Sequence, residues 1–396
     1  MVFQILDDKK DCVGYYANEQ IIYNKPPMSA SRTWNYSEHL QNHEVDYAYL
    51  WAEGKSLSEI CPEHLKTRLA AYEKRIKAQF KAFNKSKINF EDICFYDLVP
   101  NKQIEHYFQI RNEICEWVFD NYEKPRNYNF LLDTYITCQR IRQNNVSINM
   151  HKLYNHAKTD TKARNLLKWI QTNPELSINY DIFGSVTGRL TTKNGSFPIM
   201  NLKNEIKDVV EPKWDCFVEF DFNAAEIRTM ISLMGQKQPQ EDIHEWNIKN
   251  IFKEEMSREK AKQKIFAWLY NPESNAIKSD AYDRERLLEK TYCEGKVETP
   301  FGRTIAAPDS KALNYLLQST SSDNTIDRFN KISRYLRSTR SHVMAVVHDS
   351  VIIDLHKDDR RIIPHLKQIF EDTKLGKFKV NVSLGRNLGQ MKKFEW

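Results

Sequence analysis

The stretch Val218–Gly235 constrains the fold more than any other, because its hydrophobic period changes partway along. Val218–Phe222 alternates apolar with acidic residues and is rich in β-formers, which predicts a short strand. After Asn223, the apolar residues Ile227, Met230, Ile231 and Met234 recur at helical spacing, and Gly235 supplies a C-terminal stop. Asp221 is therefore expected where a strand gives way to a helix, at the edge of a sheet. Glu226 and Arg228 are expected off the apolar face of that helix. Taken alone, such an aspartate is more often a cap or turn residue.

A second acidic segment changes that weighting. In His342–Leu355 two β-rich runs flank His348-Asp349-Ser350, which predicts a hairpin with Asp349 near its tip. Together with Asp221 it gives two carboxylates on adjoining strand ends. Such a pair suits two magnesium ions about 4 Å apart, clamping the attacking and leaving oxygens at a phosphorus. A third segment, Ser257–Asn271, repeats Arg258, Lys262, Phe266 and Tyr270 at every fourth position, one stripe on a helix. The stripe is about 18 Å long, comparable to a nucleotide from terminal phosphate to base. A core stripe would exclude Arg and Lys, and a solvated face would not end in Phe and Tyr. Cations followed by aromatics fit a triphosphate at one end and sugar and base at the other. Pro272 is expected to close this helix.

The chain's 396 residues can form two or three lobes. No run approaches the ~20 apolar residues of a membrane span, and the N-terminus lacks the pattern of a signal peptide. Seven scattered cysteines with no CxxC pair argue for reduced thiols in a cytoplasm and against structural zinc. The net charge of +6 permits a polyanionic partner. Nine of eleven glycines follow residue 180, so tight turns and the chemistry are expected there.

Earlier in the chain, strands are expected at Val2–Leu6, Cys12–Tyr16 and Gln20–Tyr23, with a turn near Asn18-Glu19. Helices are expected at Leu65–Lys87, Gln103–Tyr122, Phe130–Gln143 and Lys162–Gln171. The first of these sets a seam of Leu65, Leu69, Tyr72, Ile76, Phe80 and Phe83 against Lys66, Arg68, Lys74, Arg75, Lys77, Lys81 and Lys85. That is either a solvated basic face over a core stripe or a contact for a nucleic-acid backbone. The first 130 residues contain no Asp-x-Glu of the kind a two-metal proofreading nuclease uses, and Asp7-Asp8 reads as a turn.

These segments resemble the motifs of a family A, polymerase I-like DNA polymerase in a short, phage-like form. Asp221-Phe-Asn-Ala-Ala-Glu226-Ile-Arg228 resembles that family's DYSQIELR, Arg258-Lys262-Phe266-Tyr270 its RxxxKxxxFxxxY, and His348-Asp349 its VHDE. Thr187–Leu190, Asp242–His244, Val297–Arg303 and Ala312–Asp323 resemble TGRL, DIH, VETLFGR and AxNxPxQGTAAD in the same order. The resemblance covers residues 126–396.

It implies an α+β right-hand fold. An antiparallel-sheet palm would span 181–234 and 296–396, shortened helical fingers 235–295, and a reduced thumb 126–180. An inactive N-terminal domain, residues 1–125, would stand at the exonuclease position. Asp221 and Asp349 would bind two Mg²⁺, with Mn²⁺ a substitute. Arg258, Lys262 and His244 would hold the triphosphate, Lys262 also giving a proton to pyrophosphate. Phe266 would pack on the sugar, Tyr270 would stand by the templating base, and Glu226 would exclude a ribose 2′-hydroxyl. Arg189, Asn314, Gln318, His348 and Arg303 would contact the duplex, mostly through the minor groove, where acceptors look alike for every correct pair.

The implied partners are primer–template DNA and dNTPs, for a monomer away from membranes. Ser350, Asn271, Ile265, Ala267 and Ser310 depart from the family's usual residues, and the segment from Tyr270 to Val297 is short. Two rivals follow. His348-Asp349-Ser350 is closer to phage-type single-subunit RNA polymerases, although Glu226 argues against room for a ribose hydroxyl. A non-catalytic nucleic-acid-binding accessory subunit would have no need of both aspartates and the cation stripe.

Overall fold

The computed structural model describes residues 1–7, 12–23, 29–40, 43–90, 93–173, 175–271, 273–274 and 276–394. The expected turn at Asp8 and the helix stop at Pro272 lie outside the described residues. The chain divides into two compact units, Met1–Tyr128 and Asn129–Trp396.

In the first unit β1 (Gln4–Asp7), β2 (Cys12–Ala17) and β3 (Gln20–Tyr23) form an antiparallel sheet in that order. Ala17 pairs with Gln20, and the two residues between them, Asn18 and Glu19, have φ of 50° and 64°. A two-residue hairpin loop requires such left-handed residues to match strand twist. Helices α1 (Glu63–Lys85) and α2 (Asn101–Asn121) follow. Leu6, Tyr16, Val99, Ile104 and Phe108 make one core, and each such buried side chain contributes about 1.5–3 kcal/mol. Leu65 and Leu69 are buried as the seam predicts, but Phe80 is 47% exposed and stacks on Phe90 at 5.2 Å. A 23-residue helix runs about 34 Å, so its later turns outlast the core that its first turns cover.

The second unit opens with α3 (Tyr128–Gln143), α4 (Met150–Ala157) and α5 (Thr161–Thr172). Helix α4 was not expected from the sequence: Met150, Leu153, Tyr154 and Ala157 do recur at helical spacing, but over only eight residues. Then come β4 (Cys216–Phe222), α6 (Ala225–Leu233), α7 (Ile243–Asn247), α8 (Arg258–Tyr270) and α9 (Ala312–Tyr335). The chain continues with β5 (His342–Val347), β6 (Ser350–Leu355), α10 (Ile363–Glu371), β7 (Val380–Gly385) and β8 (Lys392–Lys393).

The five strands form an antiparallel sheet in the order β5-β6-β4-β7-β8. Asp221 is thus at the end of the central strand, not on an edge strand. Period-two alternation aims Phe220 and Phe222 at Phe370 of α10, with ring centroids 6.0 and 4.2 Å away. Glu219 and Asp221 therefore occupy the opposite face. Helices α6, α8 and α9 share a second core, containing Ile227, Met230, Ile231, Ile265, Trp268, Leu269, Leu313 and Leu316.

Glu226 and Arg228, expected off the apolar face of α6, stand outside the apolar core yet are themselves buried. Glu226 is 6% exposed and Arg228 is fully buried. The Arg228 guanidinium donates to the carbonyl oxygens of Asn223 (2.8 Å), Pro239 (2.6 Å) and Glu241 (2.9 Å), and to Asn223 Oδ1 (3.1 Å). A buried cation persists because every donor meets an acceptor. It ties the strand–helix turn to the loop that leads to Asp242.

Candidate active site

Antiparallel register sets Asp221 opposite Ser350 on β6 and Asn381 on β7. Asp349 immediately precedes Ser350 at the tip of the β5–β6 hairpin, where His348 takes a left-handed φ of 53° to make the turn. The Ser350 hydroxyl donates to Val347 O at 3.0 Å and braces the tip. The two aspartates therefore meet at the same end of adjacent strands. Burial pushes Asp221 up to about 6; Asn381, donating at 3.4 Å, opposes this, while the Glu219 and Asp349 charges add to it. Burial also raises Asp349, against the pull of Arg189 and His348 and of the Ser321 hydroxyl beside it.

Glu226, in the first turn of α6, accepts from Arg189 Nη2 at 2.6 Å and from the Tyr270 hydroxyl. Burial raises its pKa; Tyr270 and Arg189 oppose the rise, and the Asp349 charge adds to it. Arg189 is presented by a loop whose geometry is over-determined. Gly188 has φ +72°, and a Cβ there would lie 2.4 Å from Arg303 Cζ. Arg303 in turn donates to the fully buried carboxylate of Asp323, from Nε at 3.1 Å and Nη2 at 2.8 Å. The Arg303 guanidinium, expected to contact DNA, is thus engaged behind the Arg189 loop. Arg189 and His348 also line a cavity of about 250 Å³ with Leu190, Met200, Ser322 and Val346.

Along α8, Ser257 caps the helix by accepting from Lys260 N at 3.3 Å. Arg258 grips Asp242 through Nε (3.2 Å) and Nη2 (2.9 Å). Asp242 also caps α7, accepting from His244 N (3.0 Å) and Glu245 N (3.3 Å), and accepts from Asn223 Nδ2 (3.0 Å). Burial would raise this carboxyl, but Arg258, Asn223 and the two backbone donors hold it well below the usual carboxylate range. Lys262 is exposed and has no ion pair among the described residues. His244 is buried, with its ring 6.2 Å from Phe266 and, among the described residues, no hydrogen-bond partner for Nδ1. Burial lowers its pKa, Asp242 opposes, and Arg258 and Lys262 reinforce the fall. Phe266 and Tyr270 stack at 6.0 Å with planes 10° apart.

The sequence-derived residues thus fall into two patches that α8 bridges. Asp221, Asp349, Glu226, Arg189 and Tyr270 form one, with Gln318 beside the Tyr270 hydroxyl. Arg258, Lys262, His244 and Phe266 form the other. His348 is exposed next to the first patch, and half-buried Asn314 on α9 has an Oδ1 with no hydrogen-bond partner among the described residues. Four residues with no assigned role from sequence prove structural to the site: Asp242, Asn381, Asp323 and Glu219. Asp242 carried a readable signal, an acidic residue heading a short helix. Asp323 closes the segment that resembles AxNxPxQGTAAD, whereas Asn381 and Glu219 carried no signal.

Among the described residues no group of three or more His, Cys, Asp or Glu side chains converges as a metal-ligand set. A two-carboxylate site is nevertheless what magnesium accepts when water and phosphate oxygens complete its shell. The donors are hard oxygens, and burial has raised both aspartates, leaving negative charge that the protein under-compensates. The residues fit such a cation.

No protein-family model matches the sequence, and no curated protein matches it. Solved structures do match in shape, a polymerase domain among them. One of them is the POL domain of Pol1 from M. smegmatis, in complex with DNA primer-template and dNTP. The chain is similar to it at a TM-score of 0.56 and 11% identity, over 73% of this chain and 76% of that one.

Proposed function

We propose that the protein is a template-directed DNA polymerase that extends a primer 3′ end with dNTPs and has no 3′–5′ exonuclease. The observation that carries this reading is the meeting of Asp221 and Asp349 on adjacent strand ends within a polymerase-like fold. The sheet with residues 181–234 and 296–396 serves as palm, 235–295 as shortened fingers and 126–180 as reduced thumb, while residues 1–125 precede them as a non-catalytic N-terminal domain.

In this reading Asp221 and Asp349 hold two Mg²⁺. Bound there, the cations supply charge stabilisation to the attacking and leaving oxygens. Asn381 orients the Asp221 carboxylate. Lys262, exposed and without an ion pair among the described residues, binds the triphosphate with Arg258 and His244 and gives a proton to the departing pyrophosphate. Phe266 packs on the sugar and Tyr270 stands by the templating base. Glu226, fixed between Arg189 and Tyr270, occupies the space that a ribose 2′-hydroxyl needs. Arg189, Gln318, Asn314 and His348 face the primer–template, and Arg303 supports Arg189 from behind.

Lengthening of a labelled primer, run separately with dNTPs and NTPs, tests this assignment. The expected result is Mg²⁺-dependent extension with dNTPs that Asp349→Ala abolishes while duplex binding is retained. NTP use without a primer would replace it with a transcriptase, and inert wild-type protein with an accessory subunit.

A further inference from the structure

Helix α1 carries seven Lys or Arg against two Glu, whereas residues 1–128 as a whole hold seventeen Lys or Arg against nineteen Asp or Glu. Positive charge in an otherwise acidic unit is gathered on one helix. Lys66, Lys74, Lys77, Lys81 and Lys85 fall within an arc of about 100° at 3.6 residues per turn, and all five are exposed. Ala70 falls within the same arc, as do Glu63, Thr67 and Asn84.

Glu63 answers Lys66 at 2.6 Å and Glu73 answers Lys77 at 3.7 Å. Lys74, Lys81 and Lys85 have no ion pair among the described residues. Lys77, Lys81 and Lys85 follow one another at i,i+4, an arrangement that weakens a helix on its own. A polyanion reverses that sign. Beside the row, Phe80 is 47% exposed and stacks on Phe90 at 5.2 Å with planes 10° apart, so its outer side is open to solvent.

We propose that this ridge is a binding surface for single-stranded nucleic acid, the lysines neutralising successive phosphates and Phe80 receiving a base. From Lys66 to Lys85 the helix runs about 28 Å, long enough to meet several successive phosphates of one strand. An anionic membrane would also answer to the charge, but a single exposed ring falls short of the apolar face that an interfacial helix buries. The surface adds a grip for unpaired strand to the polymerase reading, yet binding there needs no catalysis.

The test is fluorescence anisotropy of labelled oligo-dT with the full chain, across a salt series, without dNTPs or divalent metal. Replacing Lys74, Lys81 and Lys85 together by alanine lowers the slope of log K against log salt by about 2, at about 0.7 per lost contact. Phe80→Ala weakens binding about tenfold with the slope unchanged. A control pair away from the ridge, Lys55→Ala with Lys102→Ala, leaves the slope as it was.

An unaltered slope in the triple variant overturns the proposal. So does tighter binding to duplex with Phe80→Ala silent, or a preference for phosphatidylserine vesicles over the oligonucleotide. Because no catalysis is measured, protein inert in primer extension can still show the slope change. Normal extension with an unaltered slope removes the ridge and leaves the polymerase reading intact.

Discussion

Asp221 shows the opposition between stability and chemistry most plainly. Its raised pKa means that the folded protein holds this proton more tightly than the unfolded chain does. The stabilisation is complete below the ordinary aspartate value of 3.8 and is lost as pH climbs through about 6. At pH 7.5, without divalent metal, Asp221→Asn should therefore raise the melting temperature by about 2–6 °C, from a relief of at most ~3 kcal/mol. The same substitution should cut primer extension more than about 100-fold, since losing even an outer-shell partner costs 10–100-fold. Mg²⁺ should raise the wild-type melting temperature, less so below pH 6 and not at all in the variant. A variant that melts lower than wild type would contradict the burial argument. At Glu226 the expectation concerns selectivity. Glu226→Ala should raise NTP use relative to dNTP at least about tenfold in single-nucleotide insertion assays, and an unchanged ratio would remove its role as the sugar filter.

At the scale of elements, the turn between β4 and α6 is held by Arg228, whose partners are mostly main-chain carbonyls. Arg228→Met strands those acceptors and should cost about 3–5 kcal/mol in urea unfolding; a loss under 1 kcal/mol would show the network to be ornamental. Gly188→Ala should act at a distance: its Cβ displaces the Arg303 guanidinium and leaves Asp323 buried and unpaired. The expected loss is about 2 kcal/mol or more, measured by melting. The strand, helix and hairpin that carry Asp221 and Asp349, and the stripe on α8, were legible because each has its own period or turn signal. The burial of Arg228 was not. A cation reads as surface, and the carbonyls of residues 239 and 241 that neutralise its isolation have no side-chain signature. Alternation likewise tells which face Asp221 takes, but not that β4 has neighbours on both flanks, so the edge placement failed.

For the molecule as a whole, the net charge of +6 conceals a division. Residues 129–396 carry 42 Lys or Arg against 34 Asp or Glu, and residues 1–128 carry 17 against 19. Composition over the whole chain could not reveal this, and only the boundary near Tyr128 makes it readable. The sheet itself has one further consequence. Since β4 is hydrogen-bonded along both sides, the amides of Val218 and Phe220 should be among the last to trade protium for deuterium. The carboxylate they carry into position cannot wander before the sheet comes apart. On gradual heating, loss of turnover and loss of that slow exchange should coincide, so that inactivation is the melting of a scaffold and not the slackening of a loop.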